Sequence, residues 1–206
     1  MERMVKYMND KFFDLKKEKQ DRMINAALKI FSMRGYQYAS TDDIVREAGI
    51  SKGLLFHYFG SKLGLYSFIY DYSVRFMTME LKAAVDAEET NFFTLWKQIE
   101  TGQLQVLKNY PCMQLFLEKC NTEDTGEALL ATAEKKKELN SLYASFAAQA
   151  DLSSLPADTD SAKLRNILRY TLKNLMEEHF QDGTLQVELF YEEAVSHIDF
   201  LEKHFR

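Results

Sequence analysis

The chain has 206 residues, of which 46% are hydrophobic and 28% are charged, a composition that is typical of globular proteins and excludes a disordered chain. The formal net charge of -5 argues by itself against a nucleic-acid partner, because DNA-binding surfaces are usually basic. No run of 18 consecutive apolar residues occurs, so we expect no membrane span and a cytoplasmic protein.

Proline and glycine indicate the fold class. Pro111 and Pro156 are the only prolines, which leaves long segments without a helix breaker. Five of the eight glycines lie within residues 35–64, which predicts several tight turns there. We therefore expect an all-α protein, with an N-terminal three-helix domain over residues 1–62 and a larger helical domain over residues 63–206.

The spacing of apolar residues predicts the helices in chain order. Gly35 is expected to end the first helix, Thr41 to cap the second, and Ser51 to cap the third after a left-handed turn at Gly49. The nine predicted helices span residues 21–34, 42–48, 52–59, 61–85, 91–110, 113–121, 125–150, 161–181 and 184–205, with a break at Asp182 and Gly183 before the last.

The second and third predicted helices form a helix-turn-helix, braced by a longer helix on each side. In such a motif the first turn of the second short helix enters the major groove, where small or hydrogen-bonding residues suit base edges. We predict base contacts from Ser51, Lys52 and Gly53. Side chains that donate to phosphate oxygens flank the motif, namely Thr41, Tyr58, Ser61 and Lys62. At this point a tight helical hairpin without a DNA role remains the alternative.

Residues 38–62, with the sequence YASTDDIVREAGISKGLLFHYFGSK, closely resemble the DNA-binding domain of TetR-family repressors. The resemblance covers about the first third of the chain, and the remainder resembles the family only in length and helical character. It implies a homodimer with one helix-turn-helix per subunit. It also implies a C-terminal helical domain that binds a small-molecule effector, and repression that is relieved when this effector binds.

The resemblance assigns the same base contacts and supports phosphate contacts at Thr41, Tyr58 and Lys62. Phe56 stands where family members usually have a tyrosine, whose hydroxyl often contacts a DNA phosphate. We therefore expect one contact to the DNA backbone to be lost at this position. His57 either donates to a phosphate or remains solvated beside it.

The charge is distributed unevenly along the chain. Residues 1–75 contain 13 basic and nine acidic residues, a net charge of +4, whereas the remainder contains 13 basic and 22 acidic residues, a net charge of -9. The predicted DNA-binding end is therefore the basic end. Lys16, Lys17, Lys19 and Arg22 either add sequence-independent attraction to the DNA backbone or form a solvated helix face.

The predicted C-terminal domain is rich in aromatic residues and methionine, most of which we expect in its core. We predict that four of them line a pocket for a small, largely apolar or amphipathic effector: Trp96, Met113, Phe116 and Tyr143. Residues of the last two helices recur at steps of three and four, which predicts either a monomer interior or a homodimer interface. The predicted interface residues are Leu168, Leu175, Tyr191, Ala194, Ile198 and Leu201.

Catalytic signatures are missing from the sequence. It has no glycine-rich phosphate loop and no nucleophile elbow, and Cys112 and Cys120 are expected to be reduced core thiols. We expect no metal site, no cofactor and no enzymatic activity. The alternatives to a ligand-responsive repressor of a palindromic DNA operator are a DNA-binding protein without a regulatory role and a helical interaction protein that retains the fold.

Overall fold

The computed structural model describes residues 11–153, 155–181 and 184–205, and most of them are helical. The described chain contains nine helices of eight residues or more: α1 (Lys17–Tyr38), α2 (Thr41–Ala48), α3 (Lys52–Phe59), α4 (Lys62–Ala84), α5 (Phe92–Asn109), α6 (Met113–Asn121), α7 (Gly126–Gln149), α8 (Ser161–His179) and α9 (Val187–His204). The predicted all-α class with an N-terminal helix-turn-helix is confirmed. None of these helices is both long enough and apolar enough to cross a membrane.

Two short strands stand where the predicted helices 161–181 and 184–205 meet. Phe180–Gln181 (β1) pairs with Thr184–Leu185 (β2) in an antiparallel register. α8 therefore ends at His179, two residues earlier than predicted. The predicted break at Asp182 and Gly183 lies outside the described residues.

The first helix also differs from the prediction. Gly35 does not end α1, because helical structure resumes after it and continues to Tyr38. Gly35 has φ 68° and ψ 177°, a conformation that interrupts the helix and that side chains other than glycine rarely adopt. The sequence signal for a break at Gly35 was correct, but the break is a kink.

Packing divides the described chain into two compact units. The first unit combines the described chain up to Arg75 with Cys112–Glu138, and the second combines Phe76–Pro111 with the described chain from Leu139 onward. This division differs from the predicted domain boundary after residue 62, because α6 packs against α1 although it lies far along the chain. Two of the three boundaries along the chain fall inside α4 and α7, and the third lies between Pro111 and Cys112.

The first unit is built around α1. Its core contains the rings of Phe31, Tyr66 and Phe116, with Phe31 5.0 Å and Phe116 5.6 Å from Tyr66 between ring centres. At the other end Phe12 packs against Phe59 at 5.3 Å. Such edge-on and tilted aromatic pairs add about 0.5–1.5 kcal/mol each to the hydrophobic burial. This core fixes α2 and α3 to the longer helices.

The second unit packs α5 against α9. A buried apolar cluster joins them to α8 and consists of Phe92, Phe93, Leu155, Leu164, Leu168 and Ile198. At its edge Lys97 Nζ lies 2.6 Å from Glu202 Oε2, which ties α5 to the end of α9. Burial alone would lower the pKa of Lys97, but its bonds to Asp199 and Glu202 raise it, so the ammonium remains charged.

Candidate nucleic-acid interface

Gly49 forms the turn between α2 and α3. Its φ of 63° and ψ of 42° lie in the left-handed region that glycine enters without a Cβ clash. The Gly49 N–H donates to the Arg46 carbonyl at 3.3 Å and the Ile50 N–H to the Val45 carbonyl at 3.0 Å, which satisfies the last carbonyls of α2. The predicted left-handed glycine is confirmed, and three residues separate the end of α2 from the start of α3.

Serine hydroxyls cap the helices of this region. Ser51 Oγ accepts the backbone N–H three residues further on at 3.2 Å, as predicted, and Ser61 Oγ does the same at 2.9 Å at the start of α4. The predicted cap of α2 is wrong, because Ser40 Oγ accepts the Asp42 N–H at 3.1 Å. Ser40 has the extended backbone that a cap requires, whereas Thr41 is already the first helical residue and is half-buried.

The three predicted base contacts form the exposed first turn of α3. Ser51, Lys52 and Gly53 are all exposed, and a Cβ on Gly53 would have no atom within 4 Å. Lys52 Nζ pairs with Asp42 Oδ1 at 2.8 Å, with both side chains largely in solvent. An exposed ion pair contributes about 0–1 kcal/mol, so a base edge or a phosphate can replace Asp42 with little loss of free energy.

Four other predicted contacts lie on α3 and just after it. His57 and Ser61 are exposed, whereas Phe56 and Tyr58 are half-buried. The Tyr58 ring meets Phe12 at 5.9 Å and His57 at 5.0 Å in edge-to-face arrangements, which orient it. Phe56 carries no polar side-chain atom, so it offers DNA only an apolar surface.

Lys62 is engaged inside the protein. Its Nζ donates to the carbonyls of Tyr36 at 2.9 Å, Gln37 at 3.2 Å and Ala39 at 3.4 Å, and it lies 4.5 Å from the centre of the Tyr36 ring. These carbonyls form the C-terminal end of α1, which attracts a cation through its dipole. Three carbonyls already surround the Lys62 ammonium group, so this conformation does not support the predicted phosphate contact.

Arg22 lies beside the turn of the motif. A Cβ placed on Gly49 would lie 4.0 Å from Arg22 Nη1, and the Arg22 side chain is exposed. Lys17, in contrast, pairs with Asp21 at 2.6 Å one turn earlier. Among the four basic residues noted in the sequence, Arg22 is thus the one that the structure places beside the turn at Gly49.

Tyr36 links the end of α1 to the start of α7. Its N–H donates to Glu123 Oε2 at 2.9 Å, and its hydroxyl donates to Glu127 Oε1 at 2.5 Å. Burial and the bond to Glu127 raise the pKa of the Tyr36 hydroxyl, while hydrogen bonds from Thr125 and Tyr36 outweigh burial and lower the pKa of Glu123. The sequence carried no signal for these bonds, because the partners are 87 and 91 residues apart.

Comparison with known proteins agrees with this geometry. The family described as "Bacterial regulatory proteins, tetR family" matches residues 23–67, which contain most of α1, the whole motif and the start of α4. The N-terminal part of the chain therefore resembles the TetR family. A crystal structure of a TetR-family transcriptional regulator from Chloroflexus aurantiacus J-10-fl superimposes with a TM-score of 0.62, at 21% identity, over 96% of this chain and 97% of that one. At that identity the likeness concerns the fold alone.

Curated relatives match this chain within a short segment. The HTH-type regulator YuxN of Bacillus subtilis is 41% identical over 59 residues, which is 27% of this chain and 20% of YuxN. The HTH-type activator FasR of Mycolicibacterium smegmatis is 43% identical over 49 residues, which is 24% of this chain and 22% of FasR. The chain thus matches only about a fifth of the length of these relatives. The match to a family of regulatory proteins agrees with the prediction that the chain is not an enzyme.

The four residues predicted to line an effector pocket belong to different units of the chain. Met113 and Phe116 are fully buried in the first unit, where the Phe116 ring meets Tyr70 at 6.1 Å. They are core residues of that unit. Trp96 and Tyr143 lie in the second unit, and Gln103 Nε2 donates to Tyr143 Oη at 3.3 Å. The sequence could not separate these pairs, since all four are apolar or aromatic residues at helical spacing.

The residues predicted for the dimer interface are interior residues of the second unit. Leu168, Ala194 and Ile198 have no exposed surface in the single chain, and Leu175 is buried. Tyr191 Oη lies 3.0 Å from Thr101 Oγ1 on α5. Leu201 packs against the apolar cluster of the unit. The regular spacing therefore marks the seam between helices of one chain, which was the alternative interpretation of the sequence.

Other large apolar side chains of α8 and α9 are exposed: Ile167, Tyr170, Leu189 and Phe200, at 48–62% of their surface. The sequence pattern did not identify these side chains, because they lie between the regularly spaced core positions of the two helices. Both cysteines are free and buried, as predicted, and burial raises the pKa of Cys112 to about 11 and of Cys120 to about 12. Thiols with such values are largely protonated and unreactive at neutral pH.

Proposed function

We propose that this chain is a DNA-binding transcriptional repressor that acts in the cytoplasm, binds a near-palindromic operator as a homodimer, and is released by a small-molecule effector. The observation that carries the proposal is the exposed first turn of α3, with Ser51, Lys52 and Gly53 presented next to a left-handed turn at Gly49. The net charge of +4 on residues 1–75 favours this end of the chain for DNA.

In the proposed complex Ser51, Lys52 and Gly53 contact base edges, and the flanking residues hold the DNA backbone. Phosphate contacts come from Thr41, Tyr58, Ser61 and His57, and Phe56 provides an apolar contact at the groove. Arg22 takes the place of Lys62 as a cationic phosphate donor, because its guanidinium lies at the turn. In a dimer bound to two half-sites, the two α3 helices would lie about 34–36 Å apart, or a multiple of that distance.

The DNA-binding part is tested by selecting bound sequences from random DNA and measuring affinity against salt concentration. Lys52→Ala should change sequence preference and weaken binding to the selected site by about 1–3 kcal/mol. Arg22→Ala should weaken binding to every sequence and reduce the salt dependence by about one unit of slope. Lys203→Ala, at an exposed lysine of α9, is the control and should change neither quantity. Equal and negligible effects of all three changes would favour a helical interaction protein instead.

The homodimer is proposed to form through the exposed apolar face of α8 and α9. Stable dimers bury about 1,200–2,000 Å² in total, which a pair of two-helix faces can supply. Tyr170→Glu should weaken dimerisation at least about 100-fold, because a charge would be buried in the interface. Leu130→Glu, at an apolar side chain of α7 that is 83% exposed, is the matched control and should leave the dimer intact in sedimentation experiments. Dissociation by both variants, or by neither, would contradict this interface.

Effector control is proposed to act through α4, which begins in the first unit and ends in the second. An effector that prefers the conformation with low DNA affinity must weaken operator binding, and the operator must weaken effector binding by the same factor. A titration in which a bound effector leaves operator affinity unchanged would contradict this mechanism. An increase in operator affinity would make the effector a co-repressor, and increased transcription on binding would make the protein an activator, as FasR is named.

A further inference from the structure

Glu100 on α5 is a buried carboxyl group that lacks a hydrogen bond on one oxygen. Only 2% of its surface is exposed, in the middle of the second unit. Its Oε2 has no hydrogen-bond partner in the described part of the chain. Buried polar groups in folded proteins are nearly always paired, so an unpaired one calls for an explanation.

Burial raises the pKa of Glu100 to about 8. The carboxyl group is therefore mostly neutral at pH 7 when nothing is bound. The ammonium group of Lys97, one turn earlier on α5, is held by Asp199 and Glu202. A buried acid whose charge is uncompensated in the folded chain is suited to accept a positive charge from outside it.

The residues that flank Glu100 along α5 are mainly apolar or aromatic. Trp96, Glu100 and Gln103 follow one another at steps of four and three, so they share one face of the helix. Gln103 reaches Tyr143 on α7, and the adjoining Leu95 and Ile99 are buried. Small-molecule sites are mostly apolar, with a few polar groups that fix the orientation of the ligand.

The opposite side of α5 is fixed by packing. A Cβ on Gly102 would lie 3.1 Å from the Leu81 Cα and from the Glu80 carbonyl oxygen of α4. α5 therefore packs closely against the backbone of α4 at this point. α4 is the helix proposed to control the DNA-binding end. A ligand on the Trp96–Glu100–Gln103 face would be separated from α4 only by α5.

We propose that Glu100 anchors a protonated amine of a largely apolar effector, with Trp96, Gln103 and Tyr143 along the same site. The inference rests on the proposed effector-controlled function and adds the chemical class of the ligand. On binding, the ammonium group donates to Oε2, and the proton carried by Glu100 is released to solvent, so that one charge pair forms without a change in the net charge of the complex at this site. The net charge of -9 on residues 76–206 attracts such cations to this part of the chain.

The charge of the ligand is the feature that distinguishes this assignment. A carboxylate ligand would be repelled by the ionised form of Glu100. An alcohol could donate a hydrogen bond but could not compensate the charge, and charge-assisted hydrogen bonds are the stronger class. An amine should therefore bind more tightly than an alcohol or acid of the same length.

The test uses the full chain with n-octylammonium, n-octanol and n-octanoate, each below its aggregation concentration. Thermal shift and isothermal titration calorimetry measure binding in the absence of DNA. The expected result is at least about tenfold tighter binding of octylammonium than of octanol, which corresponds to about 1.4 kcal/mol. No preference for octylammonium in the wild-type chain, including no binding at all, would overturn the assignment without recourse to any variant.

Two variants locate the preference. Glu100→Gln should abolish the difference between octylammonium and octanol, whereas Glu192→Gln, which removes an exposed carboxylate from α9, should preserve it. Circular dichroism checks that both variants fold, and Glu100→Met replaces Glu100→Gln if the amide is not tolerated. A preference that survives the loss of the Glu100 carboxyl group would overturn the anchor role.

The proposed function fails in a different way from this inference. If octylammonium does not bind but the chain still selects a palindromic DNA site, only the amine assignment is wrong. If octylammonium binds through Glu100 but no DNA sequence is selected, the ligand site stands and the repressor function is wrong.

Discussion

The helix-turn-helix and the second unit satisfy their polar groups in different ways. In the helix-turn-helix, Ser40, Ser51 and Ser61 each accept a backbone N–H two or three residues away, and Lys52 and His57 of α3 are exposed. The second unit also has local caps, but there Lys97 bonds to Glu202 far along the chain, and one carboxyl oxygen of Glu100 remains unpaired. Local satisfaction of polar groups makes a motif recognisable in sequence, whereas long-range pairing leaves little local signal.

The largest effect is expected where the start of α4 packs tightly against the end of α3. A Cβ on Gly64 would lie 2.0 Å from the Phe59 carbonyl oxygen, so Gly64→Ala must displace α4 or the end of α3. We expect the free energy of unfolding, measured with urea, to fall by about 3 kcal/mol or more. Gly53→Ala is the control, because its Cβ would meet nothing within 4 Å and alanine favours the helix. Similar losses in both variants would show that the close approach at Gly64 does not determine stability.

The second prediction concerns the buried acid of the other region. The folded pKa of Glu100 is about 8, against an ordinary value of 4.5, so folding favours the protonated form. The contribution of Glu100 to stability is fully present below about pH 4.5 and is lost as the pH rises through 8. Relative to Glu100→Gln, which does not titrate, the wild type should lose up to about 1.4 kcal/mol per pH unit in this window. A pH-independent difference in the free energy of unfolding would contradict the burial of an unpaired carboxyl group.

The third prediction returns to Lys62, whose ammonium group contacts three carbonyls at the end of α1. Lys62→Met should lower the free energy of unfolding by about 1–2 kcal/mol, since helix-end carbonyls lose a charged donor. The slope of DNA affinity against salt should stay unchanged. Lys137→Met, at an exposed lysine of α7, should alter neither property. A shallower salt slope for Lys62→Met alone would restore the phosphate contact that the sequence predicted.

The smallest expected effect separates two neighbouring cap candidates. Ser40→Ala should lower the melting temperature through a loss of about 1 kcal/mol, because the Asp42 N–H loses its acceptor. Thr41→Ala should have a smaller effect on the melting temperature, since Thr41 is already inside the helix. A larger loss at Thr41 would place the functional cap one residue later.

Much of the DNA-binding region was predictable because its determinants are close together in sequence. The left-handed Gly49, the Ser51 cap and the exposed first turn of α3 all occupy the predicted positions. Errors arose where two adjacent residues were chemically equivalent, as with Ser40 and Thr41. The role of Lys62 was ambiguous for a related reason, since a lysine can bind either a DNA phosphate or the carbonyls at a helix C-terminus.

The second unit was less predictable. Regular spacing identified the buried positions of α8 and α9, but the same spacing fits a seam within one chain and a seam between two chains. The burial of Leu168, Ala194 and Ile198 in the single chain favours the seam within one chain. Glu100 escaped notice, since a glutamate in an amphipathic helix is usually expected at the surface.

The sequence by itself determined the helical class and the helix-turn-helix, because periodicity, turn glycines and caps act within a few residues. Only the tertiary structure decided that Lys62 holds the end of α1, that Tyr36 bonds to Glu123 and Glu127, and that Met113 and Trp96 belong to different units. These facts depend on contacts between residues far apart in the chain. Such contacts are fixed by the joint packing of whole helices, which no local pattern encodes.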